Sequence, residues 1–318
     1  MSSIFRTLSV LAILTFIGCS KPQSVFVTEY GLGPDKWATA WLLTRHADPK
    51  ASLKVVNQGS SLSGGVEFDT PTASIRRIGD QTAFEMAKSQ YTIDDPIVLK
   101  LVGIIHDIEV NFWGADKTQE AEIVESAFRA LQEKYGRDSV PANCYLDFFD
   151  SVYAALSQVE NIGSSLTQAG LMTSCNREVS TSNDALVSEI SISTILAEMQ
   201  KGKTVAFVDV REEEEFLEGH IPNALNITLR DLDSSHVKGL LEADYVVSYC
   251  VKDFRGFEMA KALKVAGVEH SVILNPYGIK GWIAQGLPTV GTRALKKEEA
   301  LKQLERCVSK GQCPKSSS

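Results

Sequence analysis

The sequence predicts two domains of different class: a mostly α-helical N-terminal domain with a short β-hairpin, then an α/β domain with a parallel sheet flanked by helices. Three observations carry this. The chain has 318 residues, and domains run to about 100–200 residues each. Apolar residues recur with helical period from Pro34 to Leu171. Beyond a stretch rich in Ser, Thr and Asn, strand and helix patterns alternate, as in sheets covered on both faces. Hydrophobic residues are 44% and charged residues 23%, which excludes wholesale disorder, collagen and a polytopic membrane protein. A net charge of −8 leaves no electrostatic footprint for general nucleic-acid binding.

The elements follow in order. Pro34 to His46 reads as a helix with Asp35 in its first turn. Ser52–Asn57 and Val66–Asp69 read as short strands around a Gly64-Gly65 turn. Asp95 caps, and Pro96 opens, a helix to about Phe112. Thr118–Tyr135 is amphipathic and stops at Gly136. Pro141 to Gln158 is a further helix carrying Tyr145, Phe148, Phe149, Val152 and Tyr153. The second domain is expected as helix 193–201, strand 205–209, helix 212–218, strand 245–248, helix 255–266 and strand 271–274. The expected boundaries are 25–171, a linker 172–186, 187–290, and a charged helical tail 291–318.

Residues 1–18 read as a targeting signal: Arg6 supplies a charge, and Leu8–Ile17 is too short an apolar run to span a membrane comfortably. Phe16-Ile17-Gly18-Cys19-Ser20 resembles the bacterial lipoprotein signal. That resemblance implies cleavage before Cys19, lipid on Cys19 and an oxidising compartment. Ser20, where an Asp would mark inner-membrane retention, favours the periplasmic face of the outer membrane in a Gram-negative cell. The membrane is then a partner through the lipid anchor.

Chemistry concentrates at Cys250. It follows the apolar strand Tyr245-Val246-Val247-Ser248-Tyr249 and precedes a helix. Ligands bind at the carboxyl ends of strands in open parallel sheets. The loop Val251-Lys252-Asp253-Phe254 would turn backbone N–H groups onto the sulfur and depress its pKa. The stretches Val208-Asp209-Val210-Arg211-Glu212, Gly219-His220-Ile221-Pro222-Asn223-Ala224 and Gly278-Ile279-Lys280-Gly281-Trp282 resemble the rhodanese family over about residues 187–290. The resemblance implies a sulfur-carrying Cys250, and the Cys-x4-Arg spacing to Arg255 is that of sulfurtransferases. A persulfide on Cys250 would form from a small anionic donor held by Arg255 and pass to a thiol or other thiophilic acceptor. No cofactor is needed for such transfer. Asp253 and Gly256 depart from the usual loop, and a carboxylate at 253 would repel thiosulfate. Phe254 offers an apolar wall. Asp209, His220, Trp282 and the run Glu212–Glu215 read as structural, the last as a solvated helical turn.

In the first domain, Glu67 and Asp69 would share a strand face and His106 and Glu109 a helix face. If the two faces meet, the cluster suits a divalent metal. Arg45-His46 and Arg76-Arg77 offer the opposite chemistry, a small basic site for a tetrahedral oxyanion. Asp35-Lys36-Trp37-Ala38-Thr39-Ala40-Trp41-Leu42, Val66-Glu67-Phe68-Asp69-Thr70-Pro71, Thr82-Ala83-Phe84-Glu85 and Ile105-His106-Asp107-Ile108-Glu109 resemble the chromate-resistance exported protein family, the C-terminal domain of the chromate-sensing regulator. This implies a chromate- or metal-stress context.

Six cysteines, less the lipidated Cys19 and the nucleophile Cys250, leave four, which allow three pairings. Cys144–Cys175 and Cys307–Cys313 are favoured because each lies within one segment. Alternatively, Cys307 or Cys313 on a mobile tail resolves the Cys250 persulfide. The leading expectation is a lipid-anchored sulfurtransferase facing the periplasm. The alternative is a catalytically silent lipoprotein that binds an oxyanion or metal for sensing or sequestration.

Overall fold

The computed structural model describes residues 24–57, 60–110, 118–137, 139–162, 166–171 and 187–310. The signal, Cys19 and the linker 172–186 lie outside the described residues. Among the described residues, no helix is long and apolar enough to cross a membrane.

The described residues begin with a strand the sequence does not predict, β1 (Val25–Glu29), whose central residues are buried. Helix α1 (Pro34–Leu42) follows and runs on as a π-turn over Leu43–Ala47. Strands β2 (Ser52–Val56) and β3 (Val66–Glu67) come next. They do not form the expected hairpin. Each pairs in parallel with β1, in the order β2-β1-β3. A parallel ladder needs the long connection through α1, whereas a two-residue turn can join only antiparallel neighbours.

Helix α2 (Ala83–Gln90) starts in a capping box between Thr82 and Glu85. Helix α3 (Pro96–Glu109) starts as expected, with Asp95 accepting from the N–H groups of Ile97 and Val98. Helix α4 (Gln119–Tyr135) is capped by Thr118 and ends at Gly136, with φ 84°. Helices α5 (Ala142–Ile162) and α6 (Gln168–Leu171) complete this domain. Its core stacks Trp37 on Tyr145, 4.4 Å between centroids, and Tyr145 on Phe128, 5.1 Å.

The second domain alternates β4 (Ser188–Ser191), α7 (Ile192–Gln200), β5 (Val205–Asp209), α8 (Glu213–Glu218), β6 (Leu225–Asn226), α9 (Ser234–Leu240), β7 (Tyr245–Tyr249), α10 (Phe254–Val265), β8 (Ser271–Asn275) and α11 (Gly278–Ala284). Its five strands are all parallel, in the order β4-β8-β7-β5-β6. The C-terminal α12 (Lys297–Lys310) is no mobile tail. It buries Ala300, Leu304 and Cys307, the last two in the apolar layer that also holds Trp282.

The two domains share a core. Phe254, Phe257 and Ala260 of α10 pack in the apolar cluster of the first domain. Cys144 and Cys307 are both disulfide-bonded, and Cys250 is a free thiol. Cys175 and Cys313, and with them the expected pairings, lie outside the described residues. Cys307, buried and already bonded, is not the exposed resolving thiol of the alternative above.

Candidate active site at the domain junction

Cys250 sits at the carboxyl end of β7, the central strand of the five, where the sequence places it. The following turn brings the backbone N–H groups of Lys252 and Gly256 onto its sulfur. Two glycines make the fit. A Cβ on Gly256 would stand 3.0 Å from the Tyr249 Cα, so α10 lies directly on β7. Gly278 has φ +61°, and a Cβ there would stand 2.0 Å from the Lys252 carbonyl oxygen. This close approach lets the N–H groups of Ile279 and Lys280 donate to the carbonyls of Cys250 and Val251, at 3.0 and 3.2 Å. The second motif thus clamps the loop from below.

The thiol does not have the depressed pKa expected of it. Cys250 is 4% exposed, and burial pushes its pKa up, against the opposing pull of Arg255 and the two N–H groups. Desolvation of a thiolate here outweighs the nest.

The sulfur's own residue packs in a layer of the second domain with Val208, Val210 and Met259, and the first domain covers the loop that follows it. Asp253, 0% exposed on its side chain, receives hydrogen bonds from both arms of Arg129 at 3.1 and 2.6 Å and is paired with Arg137 as well. It does not face an incoming anion; it anchors the interface. Lys252 pairs with Glu125. The Phe254 ring meets Phe128 edge-on at 6.0 Å and lies under the Arg129 guanidinium at 4.5 Å.

Arg255 forms an ion pair with Glu215, 3.2 and 3.4 Å. Glu215 also accepts from Arg77 of the first domain at 3.0 Å. Burial acts to raise the Glu215 carboxyl, but Arg255 and Arg77 overcome it and hold it at about 2. The Glu212–Glu215 run is therefore only half a solvated face: Glu213 and Glu214 are exposed as expected, and its two ends turn inward. Glu212 is buried too and pairs with Arg230 at 2.9 Å. Asp209 and His220 are structural, as expected. Asp209 holds the fully buried Arg211 at 2.9 and 2.6 Å. His220 stacks on Phe216, its Nδ1 2.8 Å from that residue's carbonyl oxygen. Trp282 is buried and donates to the Pro288 carbonyl at 2.9 Å.

The four acidic and imidazole residues expected to gather around a metal do not do so. Strand β3 ends at Glu67, and Asp69 has φ 46°, so alternation fails and the two carboxylates part. Glu67 accepts from Thr72 at 2.9 Å, and Asp69 pairs with Lys36 at 2.8 Å. His106 pairs with Glu85 at 3.2 Å. Glu109, 7% exposed, turns to the domain junction. Among the described residues no three His, Cys, Asp or Glu side chains are placed to hold a metal ion. Arg45 is taken by Asp150 at 3.0 Å, and His46 packs on Trp41.

Arg76 and Arg77 instead reach a cavity of about 130 Å³ between the domains. Its walls include Asp35, Asp69 and Glu109 from the first domain and Phe254, Arg255 and Glu258 from the second. Asp35 accepts from the N–H groups of Ala83 and Phe84 at the start of α2, 2.8 and 2.9 Å. Burial, with the charges of Asp69 and Glu109, raises it to about 8. Glu258, which accepts from the Leu32 N–H at 2.8 Å, is raised by burial to about 6.

Comparison with known proteins agrees with this division. The uncharacterised protein slr1261 of Synechocystis sp. is 35% identical over 98 residues, 31% of this chain and 54% of that one. Protein ChrB of Cupriavidus metallidurans is 29% identical over 136 residues, 42% of this chain and 40% of that one. The matched region thus spans about half the length of these curated relatives or less. The solved BH2092 protein of Bacillus halodurans is 24% identical with a TM-score of 0.30, covering 36% of this chain and 90% of that one. Residues 26–156 match the family model of the ChrB C-terminal domain and residues 193–285 that of the rhodanese-like domain, so the chain joins a ChrB-like domain to a rhodanese-like one.

Proposed function

We propose that the protein is a sulfurtransferase, lipid-anchored through Cys19 at the periplasmic face of the outer membrane and serving a chromate- or metal-stress response. The observation that carries the activity is a free Cys250 at the carboxyl end of a central parallel strand, its sulfur held by two backbone N–H groups beside Arg255. The Cys250 thiolate attacks the outer sulfur of a small anionic donor. The donor's bond to that sulfur breaks, and the remainder leaves with the electron pair. An acceptor thiolate then attacks the sulfur now on Cys250, whose thiolate departs. Because burial favours the protonated thiol, deprotonation of Cys250 is a costly part of the first step. Binding that loosens the covering domain would lower that cost.

The test is intact-protein mass spectrometry before and after incubation with thiosulfate. The expected result is a gain of one sulfur that maps to Cys250, disappears on cyanide treatment and is absent from Cys250→Ser. A second reading has a specific observation behind it: the cavity wall includes Phe254 and Arg255 but not Cys250. On that reading the domain is catalytically silent and binds an oxyanion or metal. No adduct from any persulfide donor, with Cys250 still open to alkylation, would decide for it.

A further inference from the structure

The junction cavity holds unspent hydrogen-bonding capacity. Thr70 Oγ1, Arg76 Nε, Glu109 Oε1 and Arg255 Nε are all buried without a hydrogen-bond partner among the described residues, and all four residues line it. Its other cations are engaged: Lys36 with Asp69, Arg230 with Glu212, and Arg77 with Glu215 and the Glu109 carbonyl. Buried polar groups left unpaired are costly, and native proteins keep few of them. The four residues come from two domains and all border one space.

Their chemistry is lopsided in an informative way. The two guanidinium N–H groups can only donate, and the threonine hydroxyl can do so. The carboxylate oxygen of Glu109 can only accept while ionised. A matching ligand therefore offers several acceptor oxygens and one proton. The volume, about 130 Å³, lies near the roughly 150 Å³ of an engineered cavity that takes a benzene ring, so the ligand is small. Asp35, raised to about 8, adds little negative charge near neutrality, where it keeps its proton.

We propose that this cavity binds a tetrahedral oxyanion that retains one proton, such as hydrogen phosphate, with its anionic oxygens on Arg76, Arg255 and Thr70 and its hydroxyl donating to Glu109. A fully ionised oxyanion, sulfate or thiosulfate, presents no proton and meets the Glu109 carboxylate oxygen to oxygen. A site that depends on a ligand hydroxyl rejects an analogue without it strongly, because its own polar group is left unpaired. The proposal shares Arg255 with sulfur transfer but does not rest on it: Cys250 itself is not in the cavity wall, and the sulfur adduct on Cys250 is scored separately, in phosphate-free buffer.

The experiment is calorimetric titration of the full chain near neutral pH, at matched ionic strength, with inorganic phosphate and with sulfate. One phosphate per chain is expected, with sulfate at least tenfold weaker. Glu109→Gln replaces the acceptor by an amide that can donate, so the preference should shrink or reverse toward sulfate. Arg76→Gln should weaken both anions. Equal binding of the two anions by the native chain, or no binding of phosphate, overturns the proposal without any variant. A preference that persists undiminished in folded Glu109→Gln overturns it as well.

Discussion

Glu215 joins two cationic side chains, Arg255 and Arg77, into one electrostatic unit, and its titration should be visible in the stability of the protein. Its ordinary pKa of 4.5 falls to about 2 on folding. A carboxylate depressed in the folded state stabilises fully above its unfolded pKa and loses that contribution as pH falls through the folded value. The window is therefore about 4.5 down to 2, and the shift is worth about 3 kcal/mol. Urea unfolding against pH should show that loss in the native protein and not in Glu215→Gln. Asp35 has the opposite sign. Raised from 3.8 to about 8 by burial and by Asp69 and Glu109, it makes the fold bind an extra proton, so stability declines as pH rises across that interval. Asp35→Asn should flatten this slope, whatever it does to the absolute stability. Neither role was legible locally. Four consecutive glutamates look like the solvated start of a helix, and only Arg77, from the other domain, and Arg255 turn the last of them into a site residue. The placement of Cys250 and Arg255 between β7 and α10 was legible because their spacing is local to one loop.

The loop and α11 act as a single fitted element. Gly278 has a left-handed φ, and its missing side chain is what lets α11 reach the carbonyls of the Cys250 loop. Gly278→Ala should cost roughly 2 kcal/mol or more through strain and displaced loop hydrogen bonds, read as a lowered denaturation midpoint. The same variant should form less of the Cys250 adduct. Helices with strong caps, such as α3 behind Asp95 and Pro96, were readable within a few residues because the signal lies in adjacent side chains. The β1-β2-β3 sheet was not. Val25–Glu29 is short, and its pairing partners are decided by the path of α1, which no local pattern reveals. The divergence of Glu67 and Asp69 has the same origin: one left-handed residue at 69 ends the period of two on which their shared face depended.

At the scale of the molecule, the first domain is the lid of the second. Arg129 and Arg137 neutralise the buried Asp253, and removing partners from a buried charge costs about 3–5 kcal/mol. The double variant Arg129→Met with Arg137→Met should loosen the junction and speed alkylation of Cys250 at least tenfold; an unchanged rate would mean that the pair does not hold the loop closed. Fold class was readable in each half because each carries its own periodicity, while the seam was unreadable because partners such as Arg129 and Asp253 are more than a hundred positions apart in sequence. The seating of Phe254 against Phe128 has a further consequence, for synthesis. The N-terminal half leaves the ribosome first, yet the ring that completes its core is encoded far downstream. At roughly 5–20 residues per second, the nascent first half waits on the order of ten seconds with an apolar socket open to water. During that interval it is a natural client for whatever holds unfinished chains.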